Sequence, residues 1–283
     1  MANIDNSENS LNFKKVKIQS SDSAEPNLDN DKIYDYSMFK IRTMNSFIIF
    51  LNFLTYFFQL FVFYSYDKKY KSNWSCLLIK FGAFQAGLVK NHKEYYRFIT
   101  SNFIHSSFAH LCGNTITLIF LGYLTESEIN NKIHYLFLFL ISGIEGNFMY
   151  YLFNQRNLSI GSSGAIIGFC GHFTFSFLLN YRRMSLERKY FFGIMFLVLF
   201  LNLSYGFTAE GENINLPSHF GGVLGGFAYC VIIRFKSYEI RESNILAKRM
   251  FYCSVIFLFV LPLVAIGIVA FKNVPDIADY ICK

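Results

Sequence analysis

Residues 161–180 read GSSGAIIGFCGHFTFSFLLN. No Asp, Glu, Lys or Arg interrupts the run from Ala165 to Leu179, and as a helix the stretch reaches about 30 Å, the depth of bilayer hydrocarbon. It is entered through Gly161-Ser162-Ser163-Gly164. A second apolar run opens with Ser218-His219-Phe220-Gly221-Gly222. Each run begins with a side chain that can take part in catalysis and continues with small residues. A serine and a histidine at one depth of one membrane face would make a hydrolase within lipid.

Outward from this stretch, apolar runs recur at 45–64, 103–124, 134–152, 163–180, 190–206, 217–235 and 250–271. They are too long and too uniformly apolar for barrel strands, so each is expected to be a helix. The 283 residues are 53% hydrophobic and only 16% charged, against the quarter usual in soluble domains. The expected fold class is therefore an all-α polytopic membrane protein. Residues 1–44 are polar, rich in Asn, Ser and Asp, and read as a disordered cytosolic tail. Residues 45–271 form the expected seven-span domain, and 272–283 a short C-terminal tail. No secretory signal is seen, and the first span is expected to act as the uncleaved membrane signal.

The net charge of +7 does not point to nucleic acid, because the basic residues flank the spans, where they set orientation. With a cytosolic N-terminus, Lys40, Arg42, Lys132, Arg182, Arg183, Arg234, Lys248 and Arg249 all fall on the cytosolic side. The first loop, 65–102, runs against this count, with Lys68, Lys69, Lys71, Lys80, Lys90, Lys93 and Arg97. It is long, and the later loops agree with one another, so the cytosolic N-terminus is retained. Within that loop, 74–89 is apolar but broken by Lys80, Gly82 and Gln85. It is expected to lie in the interface; the alternative is an eighth span. None of the six cysteines forms a CxxC pair, so no zinc or redox motif is read. Cys76 and Cys282 fall on the same non-cytosolic side, which leaves a disulfide between them open.

Ser163 and His219 stand at the outer ends of their runs in this topology. A serine needs a base to become a nucleophile. The positive end of a helix dipole favours the neutral imidazole, so His219 suits that role. Gly222-x-x-x-Gly226, with Gly164, Gly168 and Gly171 on the partner run, allows close helix approach. Plain packing also explains the glycines, but not why both helices begin with Ser and His. A third constellation runs from His105 to Asn114. His110 and Asn114 share one helical face and would hold a developing oxyanion as neutral donors. The spacing is not the HExxH of zinc proteases, and Ala165 rules out a GxSxG elbow. A metal site from His105, His110 and His219 stays open as a lesser alternative. Glu145 in the third run is expected to be a hydrogen-bonded structural group. Loop 207–216, polar and with a central Gly, reads as a lid, and the short run 190–206 as a lateral gate.

These residues resemble the rhomboid intramembrane serine proteases. The likeness rests on Tyr96-Arg97, His105-x4-His110-x3-Asn114, Gly161-Ser162-Ser163-Gly164 and His219-x2-Gly222-x3-Gly226, in that order, with Glu126 and Ser142-Gly143-x2-Gly146 in support. It covers about 95–271. The resemblance implies a six-helix core with one extra C-terminal transmembrane helix. It implies Ser163 as nucleophile and His219 as base, with no aspartate. It further implies an oxyanion hole of His110, Asn114 and the Ser163 amide, shaped by Gly161, and structural roles for His105 and Arg97. The biased composition suggests an apicomplexan member. Two positions depart from the pattern. Ile167 stands where an aromatic residue often stacks on the histidine, and Tyr96 stands where Trp is frequent.

The implied activity is hydrolysis of peptide bonds in or near the transmembrane helix of single-span membrane proteins, adhesin-like proteins among them. No cofactor, metal or nucleic acid is expected. The expected location is a membrane of the secretory pathway, a secretory organelle or the plasma membrane. The alternative is a weak or inactive relative that binds transmembrane clients for trafficking or quality control. A transporter would show repeats and mid-membrane charges, and no repeat is seen.

Overall fold

A computed structural model describes residues 43–65, 73–153, 157–181, 184–187, 189–190, 192–194, 215–237 and 245–282. Helices are numbered here in chain order among these residues. The expectations for the tail up to residue 42, for most of the run 190–206 and for loop 207–214 lie outside the described residues.

Five described helical segments are long and apolar enough to cross a membrane. They are α1 (Thr43–Ser65), the segment Phe108–Ile129, α7 (Lys132–Phe153), α9 (Leu216–Ser237) and α10 (Ile245–Phe271). A sixth apolar helix, α8 (Ser163–Asn180), is 18 residues long. The chain is an all-α polytopic membrane protein, and the exposed faces agree with that. In α1 the inward face carries Asn45, Asn52, Tyr56 and Gln59, while Phe50, Phe57 and Phe61 point outward. Polarity turned inward and rings turned outward suit a lipid solvent.

The second span begins five residues later than its apolarity suggests. Residues 101–103 instead make a 3-10 turn after α4 (Arg97–Thr100), and Ser107 starts the helix by accepting from the His110 amide at 3.1 Å. The span comprises α5 (Phe108–Thr117), a π turn over Leu118–Gly122, and α6 (Tyr123–Ile129). At the π turn Asn45 Nδ2 donates to the Leu118 carbonyl at 2.8 Å. Glu126 then accepts from the Met44 and Asn45 amides at 3.2 and 2.8 Å. A carboxylate at the start of α1 satisfies two otherwise orphaned donors and complements the helix dipole.

Three spans form the centre: α9 packs along both α7 and α8. A Cβ on Gly222 would strike the Gly164 carbonyl, and one on Gly226 the Gly168 carbonyl. Only glycine lets these backbones touch, and in lipid such contact replaces the missing hydrophobic drive between helices. Toward the opposite ends of the same helices, buried His172 joins Glu128 through Nε2 at 2.7 Å and Cys230 through Nδ1 at 3.1 Å. That imidazole ties α6, α8 and α9 together.

The first loop is not a span. It folds as α2 (Trp74–Lys80) and α3 (Ala86–His92), each of seven residues and so about 10 Å long. Beyond α10 the chain turns back across this loop. Val274 packs with Phe84, Ala86 and Val89, Gln85 Nε2 donates to the Pro275 carbonyl at 3.0 Å, and His92 meets Asp276 at 2.8 Å. The short helix α11 (Ala278–Ile281) follows, and a disulfide joins Cys282 to Cys76 of α2.

Candidate active site

Ser163 is the first residue of α8, and His219 lies one turn into α9. His219 Nε2 stands 3.0 Å from Ser163 Oγ, within hydrogen-bond reach for proton transfer. The contact is possible because Gly164 and Gly222 bring the two backbones together just below. His219 is 7% exposed and Ser163 is half-buried.

Gly161 precedes the serine with φ +104°, a backbone region that side chains disfavour. A Cβ there would also lie 2.7 Å from Cε1 and Nε2 of His110 and 3.3 Å from Nδ2 of Asn114. The edges of both side chains therefore converge on the space beside Gly161, next to the serine. The Gly161 amide donates to the Ser101 carbonyl at 2.9 Å, which anchors the turn on the first loop. Neutral donors aimed at one point beside a nucleophile form the geometry that an acyl-transfer oxyanion needs.

His105 touches this assembly, and Arg97 braces the first loop that precedes it. The Asn114 amide and His105 Nε2 are 3.0 Å apart. Burial, and then the neighbouring His110, push the His105 imidazole down to about 3. It is therefore neutral at pH 7 and accepts from Asn114. The second Asn114 N–H stays available toward Gly161. Arg97 Nη1 donates to the Ile79 and Ala83 carbonyls, each at 2.7 Å, and Nε to Glu94 at 2.6 Å. Burial acts to raise the Glu94 carboxyl, but hydrogen bonds from Arg97 and Tyr96 outweigh it and hold the group below its ordinary 4.5. The structure thus brings Ser163, His219, His110, Asn114, Gly161 and His105 together, whereas Arg97 bonds within the first loop, to Ile79, Ala83 and Glu94.

Four residues missed by sequence reasoning link the two helix starts. Asn215 accepts from the Ser218 amide at 3.2 Å and donates to Ser159 Oγ. Ser159 bonds Asn147 Oδ1 at 3.3 Å, and Asn147 Nδ2 reaches Ser101 Oγ at 2.9 Å. Asn147 was detectable as a polar residue inside an apolar run; Asn215 was detectable as a helix cap. Glu145, expected to be hydrogen-bonded, is seen in part. Its Oε2 is buried with no hydrogen-bond partner among the described residues. Its side chain lies along Gly225, where a Cβ would come 2.7 Å from Glu145 Cβ, so the absent side chain of Gly225 provides its space. Buried His219 Nδ1 likewise has no partner among the described residues. Ile167 is half-buried one turn along α8.

Residues 92–236 match the family model described as the Rhomboid domain. RHOMBOID-like protein 2 of Arabidopsis thaliana is 26% identical over 200 residues, 69% of this chain and 62% of that protein. RHOMBOID-like protein 1 of the same plant is 29% identical over 153 residues, 54% of this chain and 38% of the relative. Rhomboid protease GluP of Bacillus subtilis (strain 168) is 32% identical over 151 residues, 53% of this chain and 28% of the relative. The chain thus spans less than two thirds of the length of each of these relatives.

Proposed function

The chain belongs to the rhomboid family, and on that premise we propose that it is an intramembrane serine protease, cleaving in or near the transmembrane helix of single-span membrane proteins. The observation that carries the reading is the 3.0 Å approach of His219 Nε2 to Ser163 Oγ beside the converging edges of His110 and Asn114.

In this reading Ser163 Oγ attacks the scissile carbonyl carbon as its proton passes to His219 Nε2. The oxyanion forms beside Gly161, where His110 and Asn114 donate to it, joined by the Ser163 amide. Histidinium returns the proton to the departing amine, leaving an acyl-enzyme. Water deprotonated by His219 then releases the new carboxylate and the free serine. No metal or other cofactor takes part. A substrate helix must unwind first, because its carbonyls are otherwise held in hydrogen bonds. The N-terminus is cytosolic and the dyad faces the other side, in a membrane of the secretory pathway or at the cell surface. The disulfide between Cys76 and Cys282, at the dyad's end of the bundle, supports that side as the oxidising one.

A second reading, a relative that holds transmembrane clients without turnover, draws on one observation. Among the described residues, His219 Nδ1 has no partner that would fix the ring. The two readings part in a single assay. Purified protein in nanodiscs is offered a fluorogenic single-span peptide beside its Ser163→Ala variant. Cleavage by the wild type alone supports the protease. Equal binding by both with no cleavage by either supports the holdase.

A further inference from the structure

Two edges of the His110 imidazole face different neighbours among the described residues. Cε1 and Nε2 face the space beside Gly161, while Nδ1 stands 3.2 Å from Ser106 Oγ. A neutral imidazole carries one N–H, and the partner of one nitrogen selects which it is. To serve an oxyanion, Nε2 must hold the hydrogen and Nδ1 must accept. A hydroxyl can donate to Nδ1; a backbone carbonyl there would select the opposite, useless tautomer.

Ser106 is itself held from outside its own segment. Its carbonyl accepts from the Trp74 indole at 2.7 Å. Trp74 opens α2, whose start is fixed to the C-terminal segment by the Cys76–Cys282 disulfide and by the Asn73 amide on the Ile281 carbonyl. The ring of Trp74 also rests edge-on against Tyr56 and Phe63 of α1.

We propose that Ser106 is a positioning residue: its hydroxyl donates to His110 Nδ1, selects the Nε2–H tautomer, and so makes His110 a donor toward the oxyanion. Trp74 holds the Ser106 backbone where this bond can form. The inference rests on reading His110 as an oxyanion ligand.

The test uses the full chain in nanodiscs and two readouts. One is the rate of Ser163 phosphonylation by a fluorophosphonate, in which Ser163 Oγ bonds phosphorus, fluoride leaves and the proton goes to His219. The other is the 15N spectrum of histidine-labelled protein, with the His110 signals assigned through His110→Ala. Ser106→Ala is expected to slow phosphonylation about three- to tenfold, the worth of one hydrogen bond, and to shift His110 from Nε2–H toward a mixture of tautomers. Ser106→Thr restores both. In the background of His110→Ala, Ser106→Ala has no further effect. Trp74→Phe, which removes only the donor to the Ser106 carbonyl, moves both readouts in the same direction by less, and carries the test should Ser106→Ala fail to fold. If His110→Ala slows the reaction while Ser106→Ala and Trp74→Phe leave rate and tautomer unchanged, the inference is overturned and the oxyanion reading stands. If His110→Ala itself has no effect, the oxyanion reading falls and this inference with it.

Discussion

Gly222 lies so close to the Gly164 carbonyl that neither helix can approach or retreat without moving the 3.0 Å contact of His219 with Ser163 just above it. The chemistry and the packing are thus one feature. The dyad exists because two glycines remove the side chains that would hold α8 and α9 apart.

Gly222→Val should therefore be severe. The branched side chain has no room against the Gly164 backbone, so α9 must shift by an ångström or more. A displacement of that size at a reacting pair costs about a hundredfold in rate. Cleavage is expected to fall by at least that factor, with a lower unfolding midpoint in detergent. A variant of unchanged activity would mean that the helices are not in backbone contact.

Gly161→Ala separates the oxyanion site from the bundle. The φ of +104° and the 2.7 Å approach to His110 both exclude a methyl group. The expected loss is in kcat, on the order of 10²–10³-fold for a disabled oxyanion site, with KM little changed. Strain at one turn residue costs about 1–3 kcal/mol of stability, so the variant should still fold. An equal loss carried by KM alone would place the turn in substrate binding instead.

The C-terminal segment should act as a clasp on the first loop. Opening the Cys76–Cys282 bridge removes a crosslink across 206 residues of sequence separation, and native disulfides contribute about 2–5 kcal/mol. Reducing agent is expected to lower the unfolding midpoint of the wild type by several degrees. It should have no effect on Cys76→Ser/Cys282→Ser, which starts at the lower value.

Acid should loosen the same loop through Glu94. Its carboxyl is held below 4.5 in the folded protein by hydrogen bonds from Arg97 and Tyr96. A depressed folded value means that the stabilisation is present above the unfolded value and is lost as pH falls through the folded one. Below about pH 4.5 the wild type should lose its stability advantage over Glu94→Gln, measured as the difference in unfolding midpoint. Arg97 is buried beneath this pair and donates to two first-loop carbonyls, so Arg97→Ala should lower the midpoint at every pH.

Much of this architecture was legible because lipid simplifies the code. Runs of about 20 apolar residues locate α1, α7, α9 and α10 within a few residues, and the polar residues left inside such runs mark what must be buried. Ser163, His219, His110 and Asn114 were readable as reactive types at span entrances. What was hidden depended on contacts distant in sequence. The start of the second span moved to Phe108 because Ser107 caps it and Ser101 and Asn102 are drawn into the first loop. Asn147 and Asn215 carried single signals, but Ser159 looks ordinary, and the relay the three make between two helix starts is not encoded locally. The closure of residues 272–282 over the first loop follows from pairwise contacts that no periodicity encodes.

The central claim, that Ser163 is a nucleophile activated by His219, is tested most directly by fluorophosphonate labelling of the full chain in nanodiscs, with the modified residue located by peptide mass. The account predicts one label, on Ser163, formed by the wild type, absent in Ser163→Ala and slowed at least about a hundredfold in His219→Ala. Labelling of Ser163→Ala at the wild-type rate, or a wild-type rate in His219→Ala, would contradict it.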